Sequence, residues 1–171
     1  MLKALIMRAL NHQEKYLGAS LDYIRHIVRT STRAFFTFKK VIPFTRYRDV
    51  LPADVWHAAR LVAVQHEDCG TCVQVEVNLS RKDGLSPDLI RTILDRRTDD
   101  LAEPLQDVVA FAGAVAAARE PDPSVRQRIE DRYGDRGLVE LAYAITAARI
   151  FPTVKRSLGY AKSCELVEVE V

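Results

Sequence analysis

Long apolar runs, cysteines and glycine-rich loops are all scarce in this chain, and each scarcity removes a class of function. No segment approaches the roughly 18 consecutive apolar residues of a membrane-spanning helix. The run from Val108 to Ala118 is closed by Asp107 and Arg119. Near the N-terminus, Lys3 and Arg8 flank a short apolar stretch with no small-residue cleavage pattern, which argues against a signal peptide and for a soluble, cytoplasmic protein. Only three cysteines occur in 171 residues, an odd number that does not suit a secreted disulfide framework. There is no second CxxC, no HxxxH pair, no phosphate-binding glycine loop and no serine nucleophile elbow.

What remains is an ordinary globular composition, 48% hydrophobic and 28% charged, in a chain of the size of one compact domain. The net charge of +2 hides an asymmetry: residues 1–50 hold 10 Lys/Arg against 3 Asp/Glu, and the remainder 15 against 20. The basic charges are spread out rather than massed. They read better as a solvated helix face touching the acidic part of another subunit than as a nucleic-acid or membrane contact.

Helical periodicity dominates. Leu2, Leu5, Ile6, Ala9 and Leu10, then Leu17, Leu21, Ile24, Ile27 and Val28, recur at three- and four-residue steps. Residues 32–50, aromatic and basic and closed by Pro43 and Pro52, suggest a short helix and a loop. A helix is expected from Ala53 to Gln65, and a second from Cys69 to Lys82, capped by Asp68 and stopped at Gly84. Ser86-Pro87 starts another, with Leu85 stapling onto Ile90, that ends near Arg97. Further helices are expected over 104–119, from Asp122-Pro123 to Gly134, and over 136–163 with a kink at Pro152. The valine-glutamate alternation of 166–171 is the only strand-like pattern. The fold expected is all-α, a single-domain bundle of about seven helices with the CxxC at a helix N-terminus.

Cys69-Gly70-Thr71-Cys72 carries the chemistry. Thiolate is the nucleophile, and a cysteine in the first turn of a helix has the helix dipole and free N–H groups to favour the anion. The two-residue spacer lets both sulfurs meet on one turn, so a disulfide forms and reopens without unfolding. A zinc half-site has the same spacing, with His66, Cys164 or His57 as the available further donors. Two cysteines packed in a core is the plainest alternative. His66, three residues before Cys69, is a possible accessory group or an ordinary exposed histidine at a helix end. Asn78-Leu79-Ser80 matches a glycosylation sequon but lies within an expected helix.

The run from Trp56 through the dithiol to Gly84-Leu85-Ser86-Pro87-Asp88, followed by Ala110–Ala118 and Leu138-Val139-Glu140-Leu141, resembles the carboxymuconolactone decarboxylase superfamily, in particular its alkylhydroperoxidase D-like branch. The likeness covers roughly residues 50–160. It implies an all-helical fold assembling as trimers or hexamers, no prosthetic group or metal, and Cys69 and Cys72 as a peroxidatic and resolving pair. The implied substrates are hydroperoxides, or disulfides of a partner protein or lipoyl group. Electrons would come from an external thiol donor such as dihydrolipoamide or a thioredoxin-like protein. The branch usually has a glutamate twelve residues before the first cysteine and a histidine four after the second, as a proton relay. Here those positions hold His57 and Glu76, each where the other is expected, and Thr71 stands where a histidine is often found.

The chain accordingly divides into an N-terminal helical extension, 1–49, contributing to a homo-oligomer contact, an alkylhydroperoxidase D-like domain, 50–164, and a tail, 165–171. The expected function is a thiol-dependent oxidoreductase cycling Cys69/Cys72, with His57 as general base and Glu76 as its proton-passing partner. The family pattern favours Cys72 as the attacking sulfur, and the helix dipole favours Cys69. The alternatives are a non-enzymatic redox sensor, and a decarboxylase-type lyase in which the dithiol has no task. No nucleic acid or membrane partner is expected.

Overall fold

A computed structural model describes residues 2–161 and 169–171. It is all-helical: α1 Leu2–Leu17, α2 Asp22–Thr30, α3 Thr32–Lys39, α4 Ile42–Thr45, α5 Ala53–Gln65, α6 Gly70–Lys82, α7 Pro87–Leu94, a 3-10 turn Thr98–Asp100, α8 Glu103–Ala116 and α9 Pro123–Ser157. Among the described residues this is more segments than the seven expected, because the first periodic stretch divides at Gly18 and the 32–50 region holds two short helices. No strand occurs among the described residues; Val169–Val171 form none, and the rest of the valine-glutamate pattern lies outside them.

α5 is the centre of the protein. Every residue from Val55 to Val64 is buried, against α6, α8 and α9. A helix with no solvent face must match its polar side chains internally, so His57 and Arg60 within it foretell partners on the neighbours. Burial of Leu61, Val108, Leu141, Ala144 and Ile145 builds the main core around it. A second cluster, Ile6, Leu10, Leu21, Tyr23, Ile24 and Val28, joins the N-terminal helices to Phe151, Val154 and Leu158 at the far end of α9.

The local start signals act as their chemistry demands. Ser86 accepts from Leu89 N at 3.2 Å with Pro87 in the first turn, and Asp122 accepts from Ser124 N at 2.8 Å. Leu85 and Ile90 are both in the core, as a staple requires. The expected cap at Asp68 is corrected: Cys69 itself is the N-cap residue of α6, and Asp68 sits in the left-handed region at φ 42° as part of the tight α5–α6 turn. α9 breaks at Gly134 (φ 68°, ψ 178°), where the sequence ends one helix and begins the next. The backbone remains helical through Pro152, and Thr153 Oγ1 donates to Arg149 O at 2.7 Å beside the proline. The helix ends at Ser157 rather than near 163. By length and composition α9 is the one described helix long and apolar enough to cross a membrane; its buried face packs on α5 and α8.

The N-terminal extension is latched to the helix that bears the cysteines. Asn78 Nδ2 donates to Leu17 O at 2.8 Å, and Lys82 Nζ donates to Tyr16 O. A Cβ at Gly18 would lie 2.5 Å from Asn78 Nδ2 and would need φ +69°, so the approach of α1 to α6 requires glycine there. The sequon asparagine is thus a docking residue.

Candidate functional site

Cys69 and Cys72 lie at the N-terminal turn of α6 with Cα atoms 5.2 Å apart and their sulfurs joined as a disulfide. Cys69 O accepts from Cys72 N at 2.8 Å and Val73 N at 3.0 Å, so the first turn of the helix is closed by the cysteine that caps it. The two sulfurs are not equivalent in surroundings. Cys69 has no exposure, whereas Cys72 reaches the boundary of solvent at 9%.

The turn entering the motif is clamped from α9. Glu67 is buried and held by Arg149 Nε at 2.6 Å and Arg156 Nη1 at 3.5 Å, and Arg156 Nη2 also donates to Asp68 O at 3.4 Å. Thr71, between the cysteines, has its hydroxyl 3.7 Å from Cys69 Sγ and accepts from the Nζ of Lys155, which is itself buried. Nζ lies 5.9 Å from the centroid of the Tyr23 ring, whose hydroxyl burial pushes far above its ordinary value, so that it stays a neutral phenol.

Below the dithiol, α5 and α6 run antiparallel with Arg60 opposite Glu76 and His57 opposite Ser80 and Asp83. The antiparallel packing expected for a His57–Glu76 relay is therefore present. The pairing differs, and the proposed partnership is corrected. Glu76 accepts from Arg60 Nε at 2.9 Å and Nη2 at 2.6 Å, and both side chains are buried. The tight 66–69 turn sets a register in which position 60, not 57, faces position 76. A bidentate, permanently charged guanidinium also matches a buried carboxylate better than an imidazole does. Arg60 is fully engaged: Nη1 donates to Thr45 O at 3.1 Å, and the guanidinium stacks 4.4 Å from the Trp56 ring.

His57 lies one turn further down. Its Nε2–H donates to Asp83 Oδ2 at 2.9 Å, and Nδ1 meets Ser80 Oγ at 3.1 Å. Ser80 Oγ also lies 2.7 Å from Glu76 O, so its single proton goes to Nδ1 when the ring is neutral and to that carbonyl when the ring is protonated. Burial pushes the imidazole below its ordinary value, with the Asp83 hydrogen bond pulling the other way. His66, the C-cap residue of α5, is exposed; partial desolvation of its ring and nearby Arg96, Arg149 and Arg119 lower its pKa. Cys164 lies outside the described residues. Among the described residues no group of three His, Cys, Asp or Glu side chains is placed to hold a metal ion.

Lys155, Arg60, Ser80 and Asp83 were not singled out by sequence, although a signal existed for two of them. Lys155 continues the three- and four-residue stripe of Leu141, Ala144, Ala148 and Pro152, and Arg60 interrupts an otherwise apolar face. A charge on a core stripe has to be paired.

Two outcomes follow from the α5–α6 polar layer. Arg60→Met leaves Glu76 charged and unmatched and is expected to cost about 3–5 kcal/mol in urea unfolding, while Arg60→Met/Glu76→Leu recovers most of the loss. A histidine held neutral by burial takes up its proton more readily once the chain unfolds. Stability is therefore whole above about pH 6.5 and falls as pH drops below it. Thermal melts across that range are expected to show this slope in wild type and a flatter one in His57→Gln.

With this geometry in hand, comparison with known proteins adds no relative: no family model, no curated protein and no solved structure matches the chain.

Proposed function

We propose that the protein is a thiol–disulfide oxidoreductase that cycles Cys69/Cys72, taking electrons from an external dithiol and passing them to a partner disulfide or a hydroperoxide. The observation that carries this reading is the asymmetry of the pair: both sulfurs sit on the first turn of α6, with Cys72 at the solvent boundary and Cys69 enclosed beside Thr71. A helix N-terminus favours thiolate, and a pair that closes within one turn exchanges electrons without moving the fold. Thr71, whose hydroxyl lies 3.7 Å from Cys69 Sγ and accepts from Lys155, gives the pair a polar surrounding that packing alone does not call for. The resemblance to the alkylhydroperoxidase D-like branch supports the same chemistry, without the His57–Glu76 relay.

Turnover of a small disulfide or hydroperoxide with dihydrolipoamide tests the reading. Wild type and Cys164→Ser are expected to turn over repeatedly, Cys69→Ser and Cys72→Ser not at all, and peptide mapping should find Cys69 linked to Cys72. Oxidation that stops after one equivalent per chain would instead mark a redox sensor.

Self-association through the N-terminal helices belongs to the same proposal. Leu2 and Leu5 on α1 and Phe36 on α3 are large, exposed apolar side chains on the basic part of the chain. Light scattering at micromolar concentration is expected to give a multiple of the 19.3 kDa chain mass, and Leu2→Glu/Leu5→Glu to reduce it; a monomeric wild type refutes the point.

A further inference from the structure

We propose that the groove between α6, the end of α5 and the end of α7 is a docking site for an extended, valine-bearing segment of a partner protein, and that residues 169–171 are its built-in occupant. Gln74 carries the argument. Its side-chain amide makes both hydrogen bonds that one residue of an extended chain offers on one edge: Nε2 donates to Glu170 O at 2.9 Å, and Oε1 accepts from Glu170 N at 2.8 Å. A neighbouring strand pairs in this way, and here a side chain supplies the pairing. It reads the backbone and not the side chain between, since Glu170 is exposed.

The amide is held in readiness. Gln74 Nε2 also donates to Asn78 Oδ1 at 3.0 Å, and Asn78 Nδ2 in turn donates to Leu17 O at 2.8 Å. That chain fixes which side of the Gln74 amide is donor and which is acceptor, so both are aimed at a passing segment before it arrives. A glutamine that merely faces water needs no such support.

The residues on either side of Glu170 turn inward. Val169 and Val171 are half-buried and pack on the main core, so burial alternates with period two across 169–171, as in an extended chain. They line the groove with Val73, Leu94 and Gln65, and Gln65 Nε2 donates to Leu94 O at 2.9 Å, tying the end of α5 to the end of α7. A cavity of about 520 Å³ remains beside the two valines, so the built-in segment fills only part of the groove. At its rim Arg91 pairs with Asp88 and Arg97 with Asp95, which leaves Arg96 as the charge in excess. That suits a segment with acidic residues between its apolar ones, as in Val169-Glu170-Val171. Two half-buried valines and one paired residue hold by tethering more than by contact, which lets a longer segment of another protein take their place. Val73 and Gln74 directly follow Cys72, so such a segment lies along the helix that bears the dithiol.

Fluorescence anisotropy of a labelled peptide Leu-Val-Glu-Val-Glu-Val, the sequence of residues 166–171, tests the groove on the full-length protein. Val169→Asp/Val171→Asp, which vacates the groove, is expected to bind the peptide saturably, and wild type at least about tenfold more weakly because its own segment competes. In the vacated protein Gln74→Leu should weaken binding about tenfold, and so should N-methylation of the peptide at its second glutamate, the counterpart of Glu170. The methylated peptide decides if Gln74→Leu disturbs the α1–α6 contact. Equal binding to wild type and the vacated variant, binding to neither, or indifference to the N-methyl group overturns the inference. So does a loss of assembly mass in Val169→Asp/Val171→Asp, which would put the segment of a second copy in the groove. Both cysteines are present throughout and no turnover is read. Peptide binding by a protein that never turns over would overturn the oxidoreductase reading and leave the groove assigned, and turnover without peptide binding would do the reverse.

Discussion

The buried ion pair between Arg60 and Glu76 is the constraint on which the rest of the site depends. α5 has no solvent face, so a guanidinium in its middle is tolerable only with its hydrogen bonds met, and Glu76, Thr45 O and the Trp56 ring meet them from three directions. A fork-on-fork pair also fixes register. With position 60 opposite 76, the tight turn between the helices places Cys69 at the start of α6 against the core and Cys72 at its edge. Sliding α6 by one residue would strand both charges and turn the dithiol away. The pair thus defines which sulfur is enclosed.

α9 supplies the opposite wall, and its charges are sorted by position. Glu140, with no exposure, accepts from Val50 N at 2.8 Å and Leu51 N at 3.3 Å, tying the segment before α5 to the core. One and a half to two turns before Lys155, Arg149 reaches Glu67. Lys155 lies where this helix meets both the dithiol turn and the N-terminal helices, with Thr71 on one side and Tyr23 of α2 on the other. The N-terminal extension thus reaches the neighbourhood of the dithiol turn through the Tyr23 ring. Its attachment along α6 by Asn78 and Lys82 is what presents that ring.

Much of the architecture was legible because local chemistry decided it. Ser86-Pro87, Asp122-Pro123 and the apolar stretch Ala53–Gln65 state their helices through capping, fixed φ and periodicity, and no distant contact overrides them. The CxxC at a helix start was legible for the same reason. What sequence could not supply was the pairing across helices. Periodicity places His57, Arg60, Glu76 and Ser80 on faces, but an antiparallel register one turn different exchanges every partner, and the tight turn at 66–69 with its left-handed Asp68 is what selects it.

Negative charge around the cysteine pair is matched group by group. A dithiol surrounded by free carboxylates would resist ionisation, since like charges raise a thiol pKa. Each buried acid in the described residues has been given a counterpart before it can act on the sulfurs: Glu67 has Arg149 and Arg156, Glu76 has Arg60, Asp107 has Arg128 at 2.6 Å, and Glu140 has backbone N–H groups. The helix N-terminus favours an anion at the first turn of α6, where Thr71 accepts from Lys155. His57 sits deep against Asp83 and Glu76 is locked to Arg60, so both exchanged residues are engaged away from the sulfurs.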